Sequence, residues 1–501
     1  MMFFHFKEDG VKQKHKKWIS LLGLTALLLW AAFNVPLAQA AKAKPVKAIP
    51  GSMAEKVTKP NAVLDVSKMG DMSDFDPATW VSPTGDTIKI AVFAPYSGPA
   101  ALNGQLCWLE TTWVAHDINK RGGIWVDGKK KLIELIKADN MSKPDQCKKV
   151  AERMALQEKV HIFWGSPGSN MVKILNEVGN KYKIIVANPL GLADDLQDAE
   201  NFSRYAFMSA TATSQVGRGL AYYYGQIRKK EKKFYILCQD YNFGREIADG
   251  FKQGLKQYYP EAEIVGEDYH KLFMTDFAPY LTKIKASGAE VVYSGDWPPD
   301  ISTLVKQARQ FGITIPFANL YMDDANILNE IGVEGTKGLV HFDQYSFPPP
   351  VFNSPGWTKF HKTWNDQWKK WKTPPYNSLN AMHGSQMMTF VMQTYWLMSV
   401  IERAKSVDPE KIIKVWEGDT FQYPNGKIVM MRACDHRSIQ DFTVEEYVEP
   451  EKQKVSYNIP PYYWYKGSAA PGPAYLIPAS RIFPRMDPKE DRCKGKNDWG
   501  E

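Results

Sequence analysis

Cysteine is scarce in this chain, with five in 501 residues, at positions 107, 147, 238, 434 and 493. No two stand close enough for a CxxC redox or zinc pattern, which leaves disulfides or buried thiols. An odd count leaves at least one unpaired. Cys107 and Cys147 each fall in the first turn of a predicted helix of the same half, which makes them the expected pair. Catalytic signatures are missing too: there is no GxSxG elbow, Walker A loop, HExxH, or GxGxxG after a strand. The nine histidines show no metal-like spacing. Cys434-Asp435-His436-Arg437 holds a thiol and an imidazole, but sequence neighbours on an extended strand point to opposite faces. The expectation is a non-enzyme with no cofactor and no metal. Charge of one sign is also in short supply, since 63 Lys and Arg stand against 55 Asp and Glu for a formal +8. Residues 1–40 hold five Lys and two acids, so their removal lowers this to +5. That argues against a nucleic-acid partner or a polybasic membrane patch, and the lysine runs 129–131 and 229–233 read as solvated turns.

What is present starts with Lys12, Lys14, Lys16 and Lys17 ahead of an apolar run from Trp18 to Ala38, closed by Ala38-Gln39-Ala40. That is the order of a secretory signal, with cleavage expected after Ala40; the alternative is an uncleaved membrane anchor. Residues 41–86 have no sustained period and read as a tether or partly ordered arm.

From Ile88 to Asn140 a β-branched run, a Gly/Pro turn, an amphipathic helix and a second apolar run make a β-α-β unit. Apolar runs at Leu132, Val160, Ile184 and Tyr205 continue the alternation. It begins again at Phe234, Ala262, Val291, Phe317 and Leu339. Two long helical segments follow, near 357–372 and 378–404, then a hairpin turning at Pro424-Asn425-Gly426. A chain of this length exceeds one core, so the reading is α/β, with two doubly wound lobes and a Pro/Tyr-rich tail from 451 to 501. Ligands of such sheets sit beyond the strands' carboxyl ends, which points first at Tyr96–Gly104 and its side chains Tyr96, Ser97 and Asn103.

Ala94-Pro95-Tyr96-Ser97-Gly98-Pro99, Asp117-Ile118-Asn119 with Gly122-Gly123-Ile124, Asp139, Asp240-Tyr241-Asn242-Phe243-Gly244, Asp276-Phe277 with Lys283-Ile284-Lys285, and Gln307-Ala308-Arg309 with Gly312 form an ordered series. Over about 350 residues this series resembles the branched-chain amino-acid (Leu/Ile/Val type) periplasmic binding proteins of ABC importers. The resemblance implies a type I periplasmic-binding fold: lobes 87–211 plus 344–422 and 212–343 plus 423–450, joined by crossovers near 209–213, 340–345 and 421–428. It implies a monomeric periplasmic receptor that closes on a small organic solute and delivers it to an inner-membrane ABC permease. A ligand-sensing or scaffolding module of the same fold is the alternative, motivated by the arm and the tail.

Ser166, Ser169 and Asn170 follow a strand and open a helix, where a helix N-terminus can hold a carboxylate or the residues can simply cap it. The resembling proteins supply a Thr from the next loop; here that loop is Leu190-Gly191-Leu192, with Leu192 at the hydroxyl position. They also place a Glu for the ligand's ammonium where this chain has Tyr321, with Asp323 and Asp324 just beyond, so either the acidic pair takes that role or the ligand has no ammonium. Phe243 stands where the family often has Tyr, and Trp297 follows Asp296 at a cleft-facing strand end. Trp164, Phe243, Trp297 and Tyr321, with Tyr96 and Trp108 as additions, are thus expected to line an aromatic pocket suited to an apolar or planar solute.

Overall fold

The computed structural model describes residues 49–344, 355–382, 385–448, 470–487, 489 and 492–501. The signal-like stretch and Tyr462 to Tyr465 lie outside these residues. Strand β1 (Ala62–Val63) belongs to the leading arm. The first lobe then runs β2 (Ile88–Ala94), α1 (Ala101–Lys120), a hairpin of β3 (Ile124–Val126) and β4 (Lys129–Lys131), β5 (Ile133–Asp139), α2 (Pro144–Leu156), β6 (Ile162–Gly165), α3 (Ser169–Tyr182), β7 (Ile185–Asn188) and β8 (Ala206–Met208). Five of these strands pair in parallel in the order β5-β2-β6-β7-β8.

Strand β2 explains why the sheet is covered on both faces. Its alternate residues Ile88, Ile90 and Val92 enter one core, with α1 and later helices, while Ala91 and Phe93 enter another, with α2 and α3. Period-two side chains on a parallel strand must be apolar on both sides when helices lie on both sides.

The chain then crosses to a second lobe: α4 (Thr213–Tyr222), β9 (Lys233–Gln239), α5 (Asn242–Tyr258), β10 (Glu263–His270), α6 (Ala278–Ser287), β11 (Val291–Ser294), α7 (Asp300–Gln310), β12 (Phe317–Asn319), α8 (Ala325–Thr336) and β13 (Val340–Asp343). It returns to the first lobe with α9 (Pro355–Trp368), α10 (Ser385–Ala404) and α11 (Pro409–Trp416), whose Trp357, Phe360, Val391 and Trp416 join the core of α1. A third passage runs through β14 (Thr420–Gln422), β15 (Ile428–Met431) and β16 (Ser438–Gln440) into β17 (Phe442–Val448) and β18 (Ala470–Ile477). The second sheet is ordered β10-β9-β11-β12-β13-β17-β18, antiparallel only at β13/β17 and β17/β18. The architecture is the two-lobed α/β class expected, with three passages between lobes.

Several local expectations are corrected. The disulfide joins Cys434 to Cys493, with Cα atoms 5.2 Å apart, and Cys107, Cys147 and Cys238 are free and buried. The expected Cys107–Cys147 pair fails because the first sheet lies between them, Cys107 in the core of α1 and Cys147 in that of α2 and α3. Residues 432–437 are a tight turn between β15 and β16, closed by Arg432 N–H to Arg437 O at 2.9 Å, and not an extended strand. Lys129 to Lys131 form the exposed strand β4, paired with β3. From Ile49 onward the arm is packed: Met53, Val66, Met72 and Phe75 are buried, and β1 pairs with β14. Among the described residues no helix is long and apolar enough to cross a membrane.

Candidate functional site

Where the carboxyl ends of the two sheets face each other, loops of both lobes meet around a narrow, partly open cavity. The first lobe contributes Pro167, Gly168 and Ser169 from the β6–α3 turn and Leu190 from the loop after β7. The second contributes Tyr241 and Phe243 at the start of α5, Trp297 after β11 and Tyr321 after β12. Each is a strand-to-helix turn, the place where a parallel sheet exposes backbone and side chains to a ligand.

The first-lobe wall is set by backbone geometry. Gly168 holds φ at +88°, which glycine adopts without a Cβ clash, and its carbonyl accepts the first helical bond, from Met171 N–H at 3.0 Å. The N–H groups of Ser169 and Asn170 therefore precede the intrahelical ladder and form the positive end of α3. The Ser169 hydroxyl accepts from Leu192 N–H at 3.2 Å and Ala193 N–H at 3.1 Å, tying the two first-lobe loops together. Asn188 does the same within its loop, its Oδ1 accepting from Gly191 N–H at 2.7 Å. A Cβ at Gly191 would meet Val172 at 2.5 Å, so the loop packs down on α3.

The second-lobe wall is aromatic. Trp297 is 8% exposed, and its Nε1–H donates to the Tyr241 hydroxyl at 2.9 Å. Its ring meets Phe273 edge-on at 5.8 Å, and Tyr241 lies 5.8 Å from Phe243. Burial pushes both the Tyr241 and Tyr321 phenols well above the ordinary range, so both are protonated near neutrality.

Of the expected residues, Ser169, Leu190, Phe243, Trp297 and Tyr321 come together here. The others lie outside the cavity wall. Tyr96 donates its hydroxyl to Val92 O at 3.0 Å and packs on Trp108, under Lys137. Ser97 donates to Asp139 at 2.7 Å. Ser166 accepts from Asn140 at 2.7 Å, and Asn170 accepts from Met171 N–H at 3.1 Å. Gly191 and Leu192 back the wall through their backbone bonds. Asn103 crosses the cleft, its Nδ2 donating to Pro298 O at 3.1 Å. Asp296 turns into its own lobe and meets His270 Nε2 at 2.9 Å; burial raises its carboxyl's pKa, and the His270 bond opposes that. Trp164 is fully buried against Phe390. Asp324 caps α8, accepting from the N–H groups of Asn326 and Ile327 and from the Ser302 hydroxyl at 2.5 Å. Tyr241 was missed by the sequence reading, although its place between the end of β9 and the start of α5 is the signal that picked out Phe243.

A second set of bonds holds the lobes together. Glu246 on α5 accepts from the N–H groups of Asp194 and Asp195 in the first lobe, the latter at 3.1 Å, and from the Thr213 hydroxyl at 3.0 Å. Burial, with Asp194 and Asp195 beside it, pushes its carboxyl up to about 8. Asn242 adds a bond to Asp195 at 3.0 Å. Elsewhere His341, Asp343 and Glu445 face one another on β13 and β17, with ligand-type atoms within 4.8 Å. The His341 Nδ1 accepts from Met322 N–H at 3.2 Å.

Residues 87–452 match the family model described as periplasmic binding protein. An amino acid binding protein of Pseudomonas aeruginosa is 32% identical over 263 residues, 50% of this chain and 66% of that relative. The leucine-, isoleucine-, valine-, threonine- and alanine-binding protein of the same organism is 24% identical over 73% of this chain and 91% of its own length. The solute-binding protein of an ABC transporter from R. palustris, solved with 4-hydroxybenzoate, superposes with a TM-score of 0.62 at 21% identity, over 78% of this chain and 97% of its own. That level of identity establishes the fold alone. With the family model spanning 87–452 and the two-lobed cleft in place, the chain belongs to the periplasmic binding protein family.

Proposed function

We propose that this protein is a periplasmic receptor that captures a small aromatic or apolar carboxylate by lobe closure and delivers it, as a monomer, to an inner-membrane ABC permease. One observation carries the reading: none of the eight residues around the cavity bears a formal charge. A zwitterionic amino acid brings a carboxylate and an ammonium, and a buried ammonium without a partner costs several kcal/mol, on the order of 3–5. The carboxylate has a natural place at the N-terminus of α3, where two N–H groups and the helix dipole favour a negative charge. The remaining wall of Leu190, Phe243, Trp297 and Tyr321 suits a planar or apolar body. The similar fold of the R. palustris protein accommodates such a solute, 4-hydroxybenzoate. Closure then follows from differential affinity, because the solute touches both lobes only when they meet.

The test is a thermal-shift screen of the mature protein against amino acids, aromatic acids and amides. A specific solute in excess raises the melting temperature. Aromatic acids are expected to do so, and leucine, isoleucine and valine are not. A chain stabilised by leucine alone would overturn this reading.

A further inference from the structure

Tyr241 and Tyr321 stand side by side in the second-lobe wall of the cavity. The Tyr241 oxygen already accepts the Trp297 Nε1–H at 2.9 Å. A phenol has one proton to give, and among the described residues nothing accepts the proton of either tyrosine. Tyr241 is partly buried and Tyr321 buried in this wall, so closure on a solute takes water from each hydroxyl, and a solute that supplies the acceptor recovers that cost. We infer that these two hydroxyls form the specificity end of the cleft and select a solute with an uncharged oxygen acceptor opposite its carboxylate.

The surroundings decide the charge of that oxygen. Asp296 and Asp300 act through space on Tyr241, and Asp323 on Tyr321, which opposes a second negative charge at this end, while none of the three lines the cavity to pair directly with an ammonium. The Asp300 carboxylate accepts from Gln239 at 2.8 Å and from Phe273 N–H at 2.9 Å, and Asp296 is tied to His270, so neither turns toward the cavity. A second carboxylate would therefore be repelled. A phenol, alcohol, ketone or amide oxygen accepts from one tyrosine, and a phenol or alcohol also donates to the other tyrosine's oxygen. An ammonium has only protons to offer and leaves both tyrosine O–H groups unsatisfied.

This rests on the aromatic-carboxylate reading, so the experiment separates the two. Calorimetry measures benzoate, 4-hydroxybenzoate and terephthalate on the mature protein and on the variants Tyr241→Phe and Tyr321→Phe, each checked for an intact melting transition. The expected result is 4-hydroxybenzoate about tenfold or more tighter than benzoate, terephthalate weaker than 4-hydroxybenzoate, and a 4-hydroxybenzoate-to-benzoate ratio that falls about tenfold in at least one variant. If the unmodified protein binds 4-hydroxybenzoate and benzoate equally, or if the ratio survives both substitutions, the tyrosine pair does not select the solute. Binding of none of the three by the unmodified protein would remove the aromatic-carboxylate reading itself, and this inference with it.

Discussion

Replacing Trp297 by alanine tests the candidate site most directly. An indole buries about 150–250 Å², and at about 25 cal/mol per Å² its complete burial contributes about 4 to 6 kcal/mol. In the free protein much of that area is already covered, since the ring meets Phe273 at 5.8 Å and its N–H is held by Tyr241 at 2.9 Å. The share contributed by the solute is then about 2 kcal/mol, the size of an interface hot spot, or roughly 30-fold in Kd. Truncation also unpins Tyr241, which adds to the loss. Trp297→Phe helps to separate these effects, because it keeps a smaller ring against the solute while deleting the N–H that holds Tyr241. The assay is calorimetry with 4-hydroxybenzoate, alongside melting curves without ligand to show that each variant folds. A folded Trp297→Ala protein with unchanged affinity would refute the reasoning. So would micromolar leucine binding that survives the substitution, since recognition would then lie at an acidic group such as Asp323.

Three further outcomes follow from the structure. The Cys434–Cys493 disulfide closes a sequence separation of 59 residues, for which the loop-entropy relation gives about 4 kcal/mol. Cys493→Ser, or reductant on the unmodified protein, should lower the melting temperature by several degrees in calorimetry, and an unchanged transition would mean that β18 alone holds the tail. Because the folded Glu246 carboxyl is raised from 4.5 to about 8, the folded chain holds the proton more tightly, so its stabilising contribution is present at low pH and fades between about pH 4.5 and 8. Melting temperatures across that range should fall more for the unmodified protein than for Glu246→Gln, and parallel curves would contradict the shift. Asp324→Ala removes the α8 cap and should cost about 1 kcal/mol in denaturant unfolding while leaving solute affinity unchanged; an affinity loss would mean that Asp324 contacts the solute.

The lobes were legible because most of their strands are short apolar runs buried on both faces, so each stands out between helices of a different periodicity. β2 shows this well, since its two sets of alternate residues feed two different cores. The disulfide was not legible, because pairing depends on which side of a sheet each thiol lies, and sequence spacing carries no sign for that. Tyr96 and Ser97 were placed at the right strand end, but the length of a tyrosine lets its hydroxyl reach back four residues to Val92 O, and Asp139 on the next strand captures the serine. Both side chains satisfy the turn itself. Tyr241 was passed over for Phe243 although both stand in the same turn; what distinguishes it is the Trp297 N–H, a buried donor that needs an acceptor from a neighbouring loop.

Asp324 makes the complementary case. Beside a lost ammonium anchor it reads as a displaced acid, yet it directly precedes the run from Ala325 to Thr336, and an Asp there is a cap. Its side chain accepts from Asn326 N–H and Ile327 N–H, and Ser302 takes its second oxygen. The helix-start rule and the ligand-anchor reading compete for the same carboxylate, and the backbone donors are the closer partners. An acid is available to a solute only after the groups around it have been served, and three acids at the strand ends are engaged locally: Asp324 by α8, Asp296 by His270 and Asp139 by its own turn. The cavity is lined by hydroxyls, rings and one helix N-terminus, with no carboxylate among them, and on that set rests the proposed preference for a carboxylate with an uncharged oxygen opposite it.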